Sequence, residues 1–91
     1  MTETPTEANP SVIRAQAVKE AHGPELLRKA NVVGVGVGLR RRAGTMSREV
    51  AIVVLVRRKL PRAQLMPEDI VPAEIEGVPV DVQEVGEIRA Q

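Results

Sequence analysis

The sequence predicts a small α+β domain: a sheet of about four strands, mixed or antiparallel, with one N-terminal helix packed on a face. Three observations predict it. An amphipathic stretch follows Pro10, two strongly apolar strand-like runs occupy 32–39 and 49–56, and a shorter pair of β segments flanks Glu76-Gly77 near the end. A sheet that is apolar on one face needs a second layer to bury it, and the helix is the only such layer at hand.

Taken in order, residues 1–10 are polar, acidic and contain two prolines, and they read as a flexible tail ahead of one domain over 11–88. Pro10-Ser11 opens the helix, with Ser11 as its N-cap. Ile13, Ala17 and Ala21 recur at four-residue spacing and form the expected apolar stripe, with Val18 at its border. Gly23 is expected to end the helix, and Pro24 to start a new turn carrying Glu25, Leu26 and Leu27.

Residues 32–39 alternate valine and leucine with Gly34, Gly36 and Gly38, so the glycines share one side of a strand. The run 49–56 is apolar on both faces and suggests a central strand covered on both sides. Residues 43–47 are a small polar turn. A hairpin symmetric about Thr45 would set Gly34, Gly36 and Gly38 against Val56, Val54 and Ile52, leaving a column of glycines where a helix or another backbone can approach closely. A one-residue slip would reverse that facing. Pro61 ends the second strand, and Pro67-Glu68-Asp69-Ile70 lies in a loop with room for one helical turn. Segments 73–76 and 78–85 form the second hairpin, turning at Glu76-Gly77; Val80 and Val82 supply its buried positions, with Val85 as a further candidate. The order of elements does not fix the order of strands.

Composition narrows the functional classes. The 91-residue chain carries 43% hydrophobic and 27% charged residues, a globular balance, yet it has no Phe, Tyr or Trp. The core must be built from aliphatic side chains, and no ring is present on which a nucleic-acid base could stack. A chain this short has a thin core that a second copy would help to cover. With no cysteine, disulfides, thiolate metal sites and Cys nucleophiles are excluded. The N-terminal residues lack the pattern of a signal peptide and the longest apolar run is far short of a membrane span, so a cytoplasmic location is the expectation.

No catalytic constellation emerges. The glycine run after Val33 lacks the third glycine of a dinucleotide fingerprint, Arg41 standing in its place, and no helix follows. His22 is the only histidine; Ser11 and Ser47 lie in no nucleophile-elbow pattern. At the end of the expected helix, His22 would instead meet the helix dipole. The carboxylates from Glu68 to Glu87 show no ligand spacing, so neither a metal nor another cofactor is expected. Two basic clusters, Arg40-Arg41-Arg42 and Arg57-Arg58-Lys59, would fall at opposite ends of the proposed hairpin, which disfavours nucleic-acid binding and suits charges that guard an apolar strand pair. The chain is thus expected to be non-enzymatic. Its candidate interface is the second strand, Val50, Ile52, Val53, Val54, Leu55 and Val56, on whichever face the helix leaves bare, or an unpaired sheet edge.

Four segments, NVVGVGVGL (31–39), EVAIVVLVRRKLP (49–61), LMPEDIVP (65–72) and IEGVPVDVQEVG (75–86), taken together in this order, resemble the N-terminal module ahead of the peptidase domain in some bacterial and plant trypsin-like serine peptidases. The resemblance covers about 30–88. Since the sequence holds no peptidase domain, it implies an accessory module without catalytic residues. The leading expectation is a self-associating assembly module; the alternative is a regulatory or prosegment-like partner of a serine peptidase encoded separately, and nucleic-acid binding is a weaker third.

Overall fold

The computed structural model describes residues 9–86, leaving out Gly44 and the side chains of Arg42 and Met46. The expected tail over 1–10 lies outside the described residues except for its last two. Those two belong to the helix: Pro10 occupies its first turn, and Asn9 is its N-cap, the Asn9 carboxamide oxygen accepting the Ser11 N–H at 2.9 Å. Ser11 is therefore the capped residue, not the cap.

Helix α1 spans Pro10–Arg28 without interruption. It runs straight past Gly23 and Pro24, which the sequence suggested would end it. Proline forfeits one helical hydrogen bond and clashes with the preceding turn, at a cost of about 3 kcal/mol. Tertiary burial offsets it: Leu26, beyond the proline, is 2% exposed, and burying a leucine contributes about 1.5–3 kcal/mol. The buried stripe is Ala15, Val18 and Leu26, with Gly23 beside it. The stripe expected from the sequence, Ile13, Ala17 and Ala21, faces solvent. The true stripe is hard to read because His22, half-buried, stands between Val18 and Leu26 on the same face.

Four strands follow: β1 (Val32–Arg42), β2 (Thr45–Val56), β3 (Glu74–Ile75) and β4 (Val78–Glu84). They form one mixed sheet in the order β1-β2-β4-β3. The outer pairs are antiparallel hairpins, and the two long hairpin arms β2 and β4 meet in parallel at the centre. The segment between β2 and β3 contains two short 3-10 turns, Arg62–Gln64 and Pro67–Asp69. It is fastened to the C-terminal end of α1, where Lys29 Nζ donates to the Glu68 carbonyl at 2.6 Å and the Asp69 carboxylate accepts the Ala30 N–H at 2.8 Å. The small α+β fold expected from the sequence is the fold observed.

The register of the first hairpin differs by one residue from the symmetric one. Gly36 opposes Val53, Val35 opposes Val54 and Val37 opposes Ile52. A one-residue slip exchanges the faces, and here it sets the large residues of β1 beside those of β2. Ile52 and Val54 are fully buried, and with Val56, Val78, Val80 and Ile75 they form the core beneath Ala15, Val18 and Leu26. Val82 is half-buried against that core, whereas Val85 is 40% exposed and supplies no core position.

The Glu76-Gly77 turn places both residues at positive φ, 50° and 83°. This is the paired geometry a two-residue hairpin prefers, and Gly77 adopts it without steric cost. Helix α1 holds the turn from above. Arg14 Nη2 donates to the Glu76 carbonyl, and His22 Nε2 lies 2.7 Å from Glu76 Oε2.

Candidate functional site

Because α1 covers one face of the sheet, the alternate residues point to the other. That open face carries Gly34, Gly36 and Gly38 from β1, Ala51, Val53 and Leu55 from β2, and Asp81 and Gln83 from β4, as the registers require. The candidate interface on β2 is thereby divided. Ile52, Val54 and Val56 are core, Val50 packs half-buried against them, and only Val53 and Leu55 stand half-buried on the open face.

Helix α1 lies on the face opposite these glycines, and two of them, Gly34 and Gly38, instead admit neighbouring side chains. A methyl group at Gly34 would sit 3.3 Å from Leu55 Cδ1, and one at Gly38 would sit 3.2 Å from Val53 Cγ2. Leu55 and Val53 therefore lean across β1 onto bare backbone. Between them, a methyl group at Gly36 would meet nothing within 4 Å. The result is a two-residue aliphatic ridge beside a vacant notch.

Past a bulge between Leu39 and Arg41, the tip of the β1–β2 hairpin turns toward β4. The Arg41 N–H donates to the Asp81 carboxylate at 3.0 Å, and Gln83 Nε2 donates to the same oxygen at 3.0 Å. Ser47 braces the bulge: its hydroxyl donates to the Arg40 carbonyl at 2.7 Å and accepts the Glu49 N–H at 3.2 Å. That local role accounts for one of the serines considered as a nucleophile. His22 lies within the helix, not at its end, so a helix-dipole role gives way to the contact with Glu76. Among the described residues no group of three or more His, Asp or Glu is placed to hold a metal.

The basic clusters lie at opposite ends of the hairpin. Arg40 is paired with Glu49, Nη1 to Oε1, at 3.0 Å. Arg41 is exposed at the tip, and Arg42 pairs with Thr45 through the backbone. Arg57, Arg58 and Lys59 are exposed where β2 ends, roughly 30 Å away along a strand of this length. Arg58 and Lys59 adjoin a cavity of about 240 Å³ beneath the 57–72 segment.

A family model described as the NARROW LEAF 1 N-terminal domain matches residues 12–85. The chain belongs to that family. The match runs from the first turn of α1 to just past β4, so the matched residues include those of the open sheet face and of the cavity. This assignment corrects the resemblance to the N-terminal module of trypsin-like serine peptidases: the matching family is another one, and its description names no peptidase. The low-information valine and glycine strands that carried the resemblance match the NARROW LEAF 1 N-terminal domain instead. No curated protein matches the chain. Among the described residues, no helix is long and apolar enough to cross a membrane.

Proposed function

We propose that the chain is a non-catalytic self-association module whose copies join through the open face of the sheet. The reading rests on one observation: the Val53–Leu55 ridge lies directly beside the empty notch at Gly36. A twofold axis places the same patch of both copies in contact, so such a patch must complement itself. A ridge next to open space at Gly36 meets that condition, since each copy's Val53 or Leu55 can lie over the other's Gly36. The outer edge of β1, eleven residues without proline, supports the same reading, because unpaired edge backbone favours strand addition.

Light scattering over a hundredfold concentration range tests the proposal. A discrete oligomer that Val53→Arg converts to a folded monomer is the expected result. A monomer at every concentration would end it.

A further inference from the structure

The cavity beneath the 57–72 segment is chemically two-sided. Its covered wall is aliphatic: Val56 is buried, and Leu65, Ile70, Val71 and Val82 are half-buried. Its exposed lining residues are Arg58, Lys59 and Arg62, all cations. None of the three forms an ion pair among the described residues, where such pairs involve only His22 and Arg40.

Three backbone groups at the mouth of the cavity are already engaged. Asn31 bonds both the N–H and the carbonyl of Arg58, and the Glu84 carboxylate accepts the Lys59 N–H at 2.8 Å. A peptide entering here would bring backbone N–H and C=O groups, and the Arg58 N–H and carbonyl and the Lys59 N–H are already taken. A saturated alkyl chain makes no such demand. At about 240 Å³ the cavity is also smaller than the roughly 300–1,000 Å³ typical of sites for drug-sized ligands.

We propose that this cavity binds an amphipathic carboxylate, a medium-chain fatty acid whose alkyl chain lies against Val56, Val71 and Val82 and whose carboxylate meets Arg58, Lys59 and Arg62. The two halves of the site have separable signatures. Each methylene added to the ligand tightens binding about three- to fourfold until the cavity is full. The charge contribution weakens with salt, because exposed ion pairs are screened.

The experiment is a calorimetric and NMR titration of the full chain with hexanoate, octanoate and decanoate, each below its micelle concentration, and with decanol as the uncharged control. Saturable one-site binding is expected, tightening with chain length and shifting the signals of Val56, Val71 and Val82. The variant Arg58→Gln/Lys59→Gln/Arg62→Gln changes exposed side chains only and should stay folded. It should weaken decanoate roughly tenfold while leaving decanol unchanged. Absence of saturable binding, affinity indifferent to chain length, or shifts confined to the open sheet face would overturn the proposal. So would capture of an acidic peptide at the cavity by a protein that ignores decanoate.

Discussion

Asn31 holds the backbone of Arg58 at both ends: its Oδ1 accepts the Arg58 N–H at 3.2 Å, and its Nδ2 donates to the Arg58 carbonyl. Asn31 itself sits at φ 78°, a left-handed conformation that asparagine tolerates better than most residues. One residue thus makes the turn into β1 and ties that turn to the end of β2. Replacing it separates the two roles. Asn31→Gly keeps the turn and loses two hydrogen bonds, each worth about 0.5–1.5 kcal/mol. Asn31→Ala loses the same bonds and adds strain of about 1–2 kcal/mol. Urea denaturation should rank wild type above the glycine variant and the glycine variant above the alanine one.

Val53 and Val54 are adjacent in sequence and opposite in consequence. Val54 is fully buried against the helix, so Val54→Arg would leave an unpaired charge in the core and should unfold the chain. Such a charge costs about 3–5 kcal/mol, a large share of the 5–15 kcal/mol that holds a typical small domain together. Val53→Arg should keep a native circular dichroism spectrum and abolish self-association. Unfolding by both variants would mean that the open face is ordinary core.

The three β1 glycines should respond differently to one methyl group. Gly36→Ala finds open space and should leave monomer stability within about 0.5 kcal/mol of wild type. Gly38→Ala and Gly34→Ala press on Val53 Cγ2 and Leu55 Cδ1, which must shift by a few tenths of an ångström, so both should be less stable than Gly36→Ala. Under the proposed self-association, Gly36→Leu fills the notch and weakens the oligomer more than it weakens the fold. Sedimentation beside thermal melting distinguishes these effects.

His22 and Glu76 join the middle of the helix to the β3–β4 turn, with side chains 32% and 55% exposed. A double-mutant cycle of His22→Ala and Glu76→Ala should return a coupling of about 0.2–1 kcal/mol, the range for exposed pairs. Zero coupling would leave the Arg14 contact with the Glu76 carbonyl as the clamp of that turn.

Pro24 interrupts the hydrogen bonding of a helix that continues regardless. Pro24→Ala should raise stability by as much as about 3 kcal/mol, and Gly23→Ala by about 1 kcal/mol, since a methyl at Gly23 meets nothing within 4 Å. Thermal melts test both. A loss of stability for Pro24→Ala would mean that the proline shapes the helix for its seat on the sheet.

Much of this architecture is legible in local sequence. The four strands, the Glu76-Gly77 turn and a helix beginning near Pro10 follow from period-two alternation and turn chemistry, which act over a few residues. The helix stripe is not legible in the same way, because Ile13 is the largest early apolar residue yet lies outside, while polar His22 occupies the inner face. Its contact with Glu76, 54 residues distant in sequence, gives it a place there. The division of β2 into core and open face is equally hidden, since Val53 and Val54 are the same residue type.

Taken alone, the amino-acid sequence determined the class of the fold, the strand boundaries to within a few residues and the separation of the two basic clusters. These depend on short-range periodicity, proline and glycine punctuation and chain length. Only the tertiary structure decided the register of the first hairpin, the face of β2 that the helix covers, the survival of the helix past Pro24 and the gathering of Arg58, Lys59 and Arg62 around an aliphatic cavity. Each of those outcomes is set by burial summed over elements distant in sequence. A one-residue slip or a single proline changes that sum by a few kcal/mol without leaving a mark on the local pattern.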